Sequence, residues 1–253
     1  MKIRILGSGT STGVPEIGCK CRVCTSADKK DKRLRTSVLV YTDDATILMD
    51  CGPDFREQML QTPFGRIDGV LISHEHYDHV GGLDDLRPFC RFGTVPVFAE
   101  KYTADRLRMR MPYCFAEKKY PGVPDIVLED IIETNPFYIN STEIIPIRVF
   151  HGQMPILGYR IGKMAYITDM LTMPEESFEL LKGLDLLLLN ALRIQPHISH
   201  QTLSEAIRNA QRIGAKRTYL IHASHQLGLH KEIESILPEN VFLSFDGLET
   251  EVY

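Results

Sequence analysis

The sequence predicts a layered α/β protein built as one domain over residues 1–253, and three observations carry that expectation. Short apolar, β-branched or aromatic runs recur along the chain and end in polar or turn residues, as buried strands do. Segments of helical length, with caps and stops, lie between several of these runs. A chain of 253 residues, 43% of them hydrophobic, can bury one full core, and no repeat, low-complexity tract or linker divides it.

The elements follow in order. Residues 3–6 read as a first strand entering a glycine turn, then a long loop containing glycines and cysteines. Strands at 37–41 and 46–50 flank the turn residues Asp43 and Asp44. A helix near 54–61 leads to a strand at 69–73. Strands resume near 95–99 and recur near 144–150, 157–161, 164–168, 186–190 and 218–221. Helices are expected at 174–181, 201–213 and 230–236, with Ser199 capping the second of these and Gly214 ending it. Residues 87–124 mix proline, aromatic and basic residues and read as a helical insertion over the functional site.

The strand at 69–73 runs straight into His74-Glu75-His76-Tyr77-Asp78-His79. In extended backbone, side chains two apart point the same way, so His74 and His76 can converge on one point. Asp78 and His79 can turn toward a second point nearby. Imidazole and carboxylate together suit two divalent metals held side by side. Gly81 and Gly82 allow a tight turn after the motif. A second cluster is Cys19-Lys20-Cys21-Arg22-Val23-Cys24, with a spacing that zinc sites favour. Three thiolates need a fourth ligand, and His225 is the strongest remaining candidate. Cys51, Cys90 and Cys114 are scattered and read as buried small residues or free thiols.

His-x-His-x-Asp-His after an apolar strand resembles the first metal motif of the metallo-β-lactamase superfamily. That resemblance implies an αββα sandwich with the metals at one edge, and later ligands His, Asp and His at strand ends. His151, Asp169 and His222 occupy those places in order. The implied centre has His74, His76 and His151 on metal one and Asp78, His79 and His222 on metal two, with Asp169 bridging. The opening Gly7-Ser8-Gly9-Thr10-Ser11-Thr12-Gly13-Val14-Pro15, the cysteine trio and His222-Ala223-Ser224-His225-Gln226 resemble the PhnP-type phosphodiesterases, which open a cyclic phosphate on ribose. Carried over residue by residue, a structural zinc would sit on Cys19, Cys21, Cys24 and His225. The catalytic pair would be zinc or manganese, with iron also compatible, sharing a hydroxide that attacks phosphorus. His200 resembles the general-acid histidine of this branch, so His200 and the ligand Asp78 are the catalytic candidates. His197 is a weaker alternative to His200, and His230 reads as structural or exposed.

The implied activity is hydrolysis of a small phosphodiester by a metal-dependent hydrolase. The rival from the same superfamily is tRNase Z, which shares the opening segment and metal motifs. Against it stand the formal net charge of −4, the lack of an arm-length insertion, and Asn190 where that family has an acid. Nucleic acid is therefore not the expected partner; the basic residues 29–35 and 106–110 read as solvated faces. A non-catalytic, metal- or ligand-binding member of the fold is the rival from another class, and a complete ligand set argues against it. No apolar stretch reaches membrane-spanning length, and the opening residues lack the apolar core of a signal peptide. The expectation is a cytoplasmic protein without a membrane partner, and relatives of this shape make a homodimer the assembly to test.

Overall fold

Apart from a small cluster at Val14, Val23 and Cys24, the buried apolar side chains fall into three layers. The computed structural model describes residues 1–133 and 135–253. Its first half runs β1 (Lys2–Gly7), β2 (Ser37–Tyr41), β3 (Thr46–Met49), α1 (Phe55–Leu60), β4 (Gly69–Leu71), α2 (Tyr77–Val80), a 3₁₀ segment at Leu83–Phe92, β5 (Val95–Glu100), α3 (Lys101–Arg110), α4 (Pro112–Phe115) and β6 (Ile126–Ile131). The second half runs β7 (Phe137–Ile139), β8 (Thr142–His151), β9 (Met154–Ile161), β10 (Met164–Ile167), α5 (Glu175–Leu180), β11 (Leu186–Asn190), α6 (Leu203–Ile213), β12 (Arg217–Ile221), α7 (His230–Glu234), β13 (Val241–Leu243) and β14 (Glu249–Glu251).

Among the described residues the strands make two seven-stranded sheets, ordered β14-β1-β2-β3-β4-β5-β6 and β13-β12-β11-β10-β9-β8-β7. Ile3, Ile5, Val38, Ile47, Leu71, Tyr159, Tyr166 and Leu188 pack between the sheets. Leu48, Phe55, Val70, Leu86, Val97 and Leu107 cover the first sheet's outer face with α1, the 3₁₀ segment and α3. Ile167, Leu187, Leu189, Ala206, Ala210 and Leu220 cover that of the second with α6. The result is the αββα sandwich. No helix among the described residues is long and apolar enough to cross a membrane.

Three expectations need correction. Residues 87–124 do not form a helical insertion over the site. They contribute β5 to the first sheet, and the helical pieces pack on that sheet's outer face through Phe89, Ala104, Leu107 and Cys114. Ser199 does not cap α6; Thr202 does, in a capping box in which its hydroxyl accepts from Glu205 N while Glu205 accepts from Thr202 N. The tight turn expected at Gly81 and Gly82 is present, made with negative φ at both. Gly82 is needed there for close approach: a Cβ would lie 2.1 Å from the Gly52 carbonyl oxygen. Finally, β6, β7, β13 and β14 were not expected; they are short or half exposed, so their apolar pattern is weak.

Candidate metal centre

Parallel pairing of β3 with β4, and of β10, β11 and β12 with one another, aligns their carboxyl ends along one edge of the sandwich. Asp50 and His222 are the first residues beyond β3 and β12, and Asp169 is the second beyond β10. All three have left-handed backbone, with φ of 55°, 55° and 56°. That conformation is uncommon outside glycine, and its repetition at three strand ends reverses the chain where polar side chains gather. α2 follows directly on the extended His76, so Asp78 and His79 lie on a single helical turn. Gly52 lets that turn nest close, because a Cβ at 52 would lie 2.1 Å from the Asp78 carbonyl oxygen.

The ligand candidates gather in two adjoining groups. Ligand atoms of His74, His76 and His151 lie within 4.8 Å of one another, as do those of Asp78, His79, Asp169 and His222. Asp169 also lies within that distance of His151 and His200, and so stands between the groups.

Three of the rings are oriented from behind. His79 Nδ1 donates to Asp50 Oδ2 at 2.7 Å, and His151 Nδ1 donates to the Ser199 carbonyl at 2.9 Å. Ser73 Oγ spends its hydrogen on Asp50 Oδ2, so His74 Nδ1, 2.9 Å from Ser73 Oγ, is the donor there. Three imidazoles therefore present Nε2 lone pairs to the centre, the arrangement that metal-ligating histidines adopt.

The donor chemistry fits divalent metals. His79 Nε2 is buried without a hydrogen bond and yet lies 3.1 Å from both Asp78 Oδ2 and Asp169 Oδ2. His222 Nε2 lies 3.2 Å from Asp169 Oδ1. A lone pair facing carboxylate oxygens in a buried place is repulsive unless positive charge sits between them. The same demand appears in the titration of the groups. Burial disfavours charge on His79, yet Asp78, Asp169 and Asp50 hold it well above its ordinary range. Burial likewise opposes ionisation of Asp169, yet His222 and His79 hold it well below the usual carboxylate range. Burial dominates at His74, which is pushed down and kept neutral, as a ligand must be.

His200 is buried beside this centre, its Nδ1 unpartnered and 3.6 Å from Asp169 Oδ1. Burial pushes its imidazole down to about 3, against the pull of Asp169. Asn190 and Gln201 fix its segment: Asn190 Oδ1 accepts from Met170 N, Asn190 Nδ2 donates to the Met170 carbonyl, and Gln201 Nε2 donates to the Asn190 carbonyl. Asn190 thus holds backbone rather than His200. His197 lies next to His200, with ring centroids 5.1 Å apart. His230 is buried far along the chain, against Arg33.

The cysteine loop closes on His225. Cys19 Sγ and Cys21 Sγ lie 3.4 and 3.3 Å from His225 Nδ1, and Cys24 completes the group. Gly9, bridged to Ala223, ties the opening loop to this segment. The Cys24 N–H and His225 bring the Cys21 thiol down to about 6, while burial pushes Cys24 up to about 11. Three sulfurs and one imidazole fit a closed zinc tetrahedron. Cys51 and Cys114 are buried and Cys90 half-buried, all apart from this group.

Two positioning residues escaped the sequence reading. Asp50 ends the apolar run of β3 just as Asp169 ends that of β10, which was a usable signal. Glu16, whose Oε2 lies 3.0 Å from His225 Nε2, had none.

The model of the beta-lactamase superfamily domain matches residues 45–223. A Porphyromonas gingivalis protein named octanoyltransferase is 48% identical over 251 residues, which is 98% of this chain and 51% of that protein. The chain thus spans about half the length of that relative. A crystal structure described as a new diphosphatase from the PhnP family superposes with a TM-score of 0.92 at 40% identity, covering 98% of this chain and 96% of the other. The short form of human tRNase Z, at 20% identity and a TM-score of 0.72 over all of both chains, shares the fold.

Proposed function

The chain belongs to the beta-lactamase superfamily and, within it, to the PhnP family, and from that premise we propose that it hydrolyses a small phosphodiester at a two-metal centre. That it is a metal-dependent hydrolase of the metallo-β-lactamase fold follows from the family. The phosphodiester reading rests above all on one observation: seven donor side chains form two adjoining groups with Asp169 between them. We assign His74, His76 and His151 to one metal, Asp78, His79 and His222 to the other, and Asp169 to both. Zinc or manganese, or iron, suits these donors, and a separate structural zinc suits Cys19, Cys21, Cys24 and His225. Two divalent metals so placed would neutralise phosphoryl oxygens and acidify a water. The chain's own part is to hold Asp169 and the imidazoles in place and to set His200 beside the leaving group as a proton donor.

A ribose cyclic phosphate and a P–O–P diphosphate both suit this chemistry, and the latter is the class named for the 40% identical relative. RNA is the second reading, and we place it behind a small substrate. The net charge is −4, and the helical pieces of residues 87–124 pack on the first sheet. Octanoyl transfer forms no part of the proposal, because the match takes in about half of the relative that bears that name.

The test is metal analysis with turnover of bis(p-nitrophenyl) phosphate by wild type and Asp169→Ala. The wild type should bind three metals per chain and turn over. The variant should lose catalytic metal and lose at least about 100-fold in rate. Wild-type activity in a fully loaded variant sinks the assignment, and metal without turnover in the wild type favours a binding protein.

A further inference from the structure

Among the described residues, β13 is the last strand at one edge of the second sheet and β14 the last at one edge of the first. Arg217 of β12 ties these edges together by donating to Thr250 Oγ1 and to the Glu251 carbonyl. Tyr219 and Leu248 pack at the margin of the layer between the sheets, and both line a cavity of 610 Å³. That volume is within the range of about 300–1,000 Å³ usual for small-molecule sites. None of the cavity's lining residues is a metal-donor candidate.

Its walls are aromatic. Tyr219 and Phe242 are partners across the parallel strands β12 and β13, with ring centroids 5.5 Å apart. Phe245 adds a third ring, and His230 meets it edge-on. His230 is 5% exposed and lines the cavity. Arg33 Nη2 can only donate, so His230 Nδ1 accepts and the ring hydrogen sits on Nε2. No hydrogen bond among the described residues reaches that Nε2. A buried imidazole thus has one directional donor left to offer.

The charges of the lining divide by how they are held. Asp28 Oδ1 accepts from Lys30 N, and Glu234 Oε2 accepts from Leu243 N. The acids are therefore committed to backbone. Lys30 and Lys231 have no acidic partner among the described residues. The Lys30 ammonium lies over the Phe245 ring, 4.5 Å from its centroid, and its charge reaches His230, where burial, Arg33 and Lys30 together hold the imidazole low and neutral.

We propose that this cavity is a ligand site separate from the metal centre, and that it takes a planar ring carrying an anionic group, as in a mononucleotide or an aryl carboxylate. The ring would lie against Tyr219 and Phe242, where stacking and apolar burial favour a flat molecule. The anionic group would meet two unpaired ammonium groups, with His230 Nε2–H fixing its orientation through a charge-assisted hydrogen bond. The basic run at residues 29–35 thereby gains a use in Lys30 that a solvated face would not give it.

The probe is anilinonaphthalene sulfonate, a planar aromatic anion whose sulfonate is a poor metal ligand, and its fluorescence reports binding to the metal-loaded protein. The wild type should bind it saturably. Lys30→Ala and Lys231→Ala remove exposed, unpaired charges, so the fold should stand, and each should weaken binding about fivefold to tenfold. Phe242→Ala should weaken it by removing the stacking wall. AMP and indoleacetate are then titrated as competitors. Displacement by AMP identifies a mononucleotide as the ligand class, and displacement by indoleacetate an aryl carboxylate. Their neutral counterparts, adenosine and methylindole, should compete at least about tenfold less well. Inorganic phosphate, which the metals attract, should leave the probe in place. Unchanged affinity in both lysine variants overturns the site. So does failure of both competitors, or a neutral counterpart that displaces the probe as readily as its anion.

Discussion

Asp50 Oδ2 accepts from His79 Nδ1, Ser73 Oγ and Tyr166 Oη, and Oδ1 accepts from Ser73 N, all within 2.7–2.9 Å. One fully buried carboxylate therefore sets the tautomer of His79 directly and that of His74 through Ser73. Asp50→Asn should weaken catalytic metal binding by about 10–100-fold, the usual cost of losing such a partner; chelator competition measures it, and affinity within twofold of wild type would refute the role. His200 calls for a different test. Burial keeps its imidazole neutral in the free site, and an anionic phosphoryl group beside it would favour the charged, proton-giving form. His200→Ala should then lose about 10²–10⁴-fold on a substrate with an alkoxide leaving group, and much less on bis(p-nitrophenyl) phosphate, whose phenolate leaves unaided. Equal losses would make His200 a phosphoryl-positioning residue, and loss of metal would make it a ligand, a role its distance from His151 and Asp169 permits. The metal donors were legible because polar residues directly after apolar runs have few other uses. Asp50 follows the same rule, but it was absorbed into the strand before it.

At the scale of elements, the parallel strands β3, β4, β10, β11 and β12 could be read because they are short, apolar and nearly continuous, as strands buried on both faces are. The edge strands could not. β14 alternates Glu249, Thr250 and Glu251 with only the middle residue buried, and β6 buries only its two end residues, Ile126 and Ile131. The start of α6 shows the limit of local cues. Ser199, Thr202 and Ser204 all precede or open the apolar helix, and only the Thr202–Glu205 spacing permits reciprocal capping. Ser199 is instead occupied by His151 and His197. Thr202→Ala should cost about 1 kcal/mol of unfolding free energy, read from urea denaturation, whereas Ser199→Ala should leave α6 capped. A larger loss from Ser199→Ala than from Thr202→Ala would show that the cap is misplaced.

Over the whole molecule, the two ends of the chain are joined by a buried polar network remote from the metals. Arg33 Nη1 donates to Ser8 Oγ and to the Ser244 carbonyl, and Asp246 accepts from Ser8 N, Ser8 Oγ and Leu34 N. His230 closes it: its backbone N–H donates to Asp31 Oδ1 at 2.7 Å, and its Nδ1 lies 3.3 Å from Arg33 Nη2. No sequence pattern announces these contacts, all but one of which pair residues about 200 or more positions apart. Because Arg33 is a permanent donor, His230 Nδ1 must be the acceptor and the ring must be neutral. Burial, then Arg33 and Lys30, push it down to about 4 from an ordinary 6.5, with Asp31 and Asp28 opposing. The sign follows from linkage. Between pH 6.5 and 4 the unfolded chain takes up a proton on His230 that the folded chain refuses, so this contribution is complete above 6.5 and is lost as pH falls toward 4. His230→Gln keeps an acceptor for Arg33 but has no proton to take up. Between pH 7 and 4.5 the wild type should therefore lose about 2 kcal/mol more unfolding free energy than the variant. Urea titrations of both proteins at several pH values measure that difference, in which acid-driven loss of metal cancels. Parallel stability curves for the two proteins would mean that His230 is protonated in the fold and that Arg33 finds its balance elsewhere.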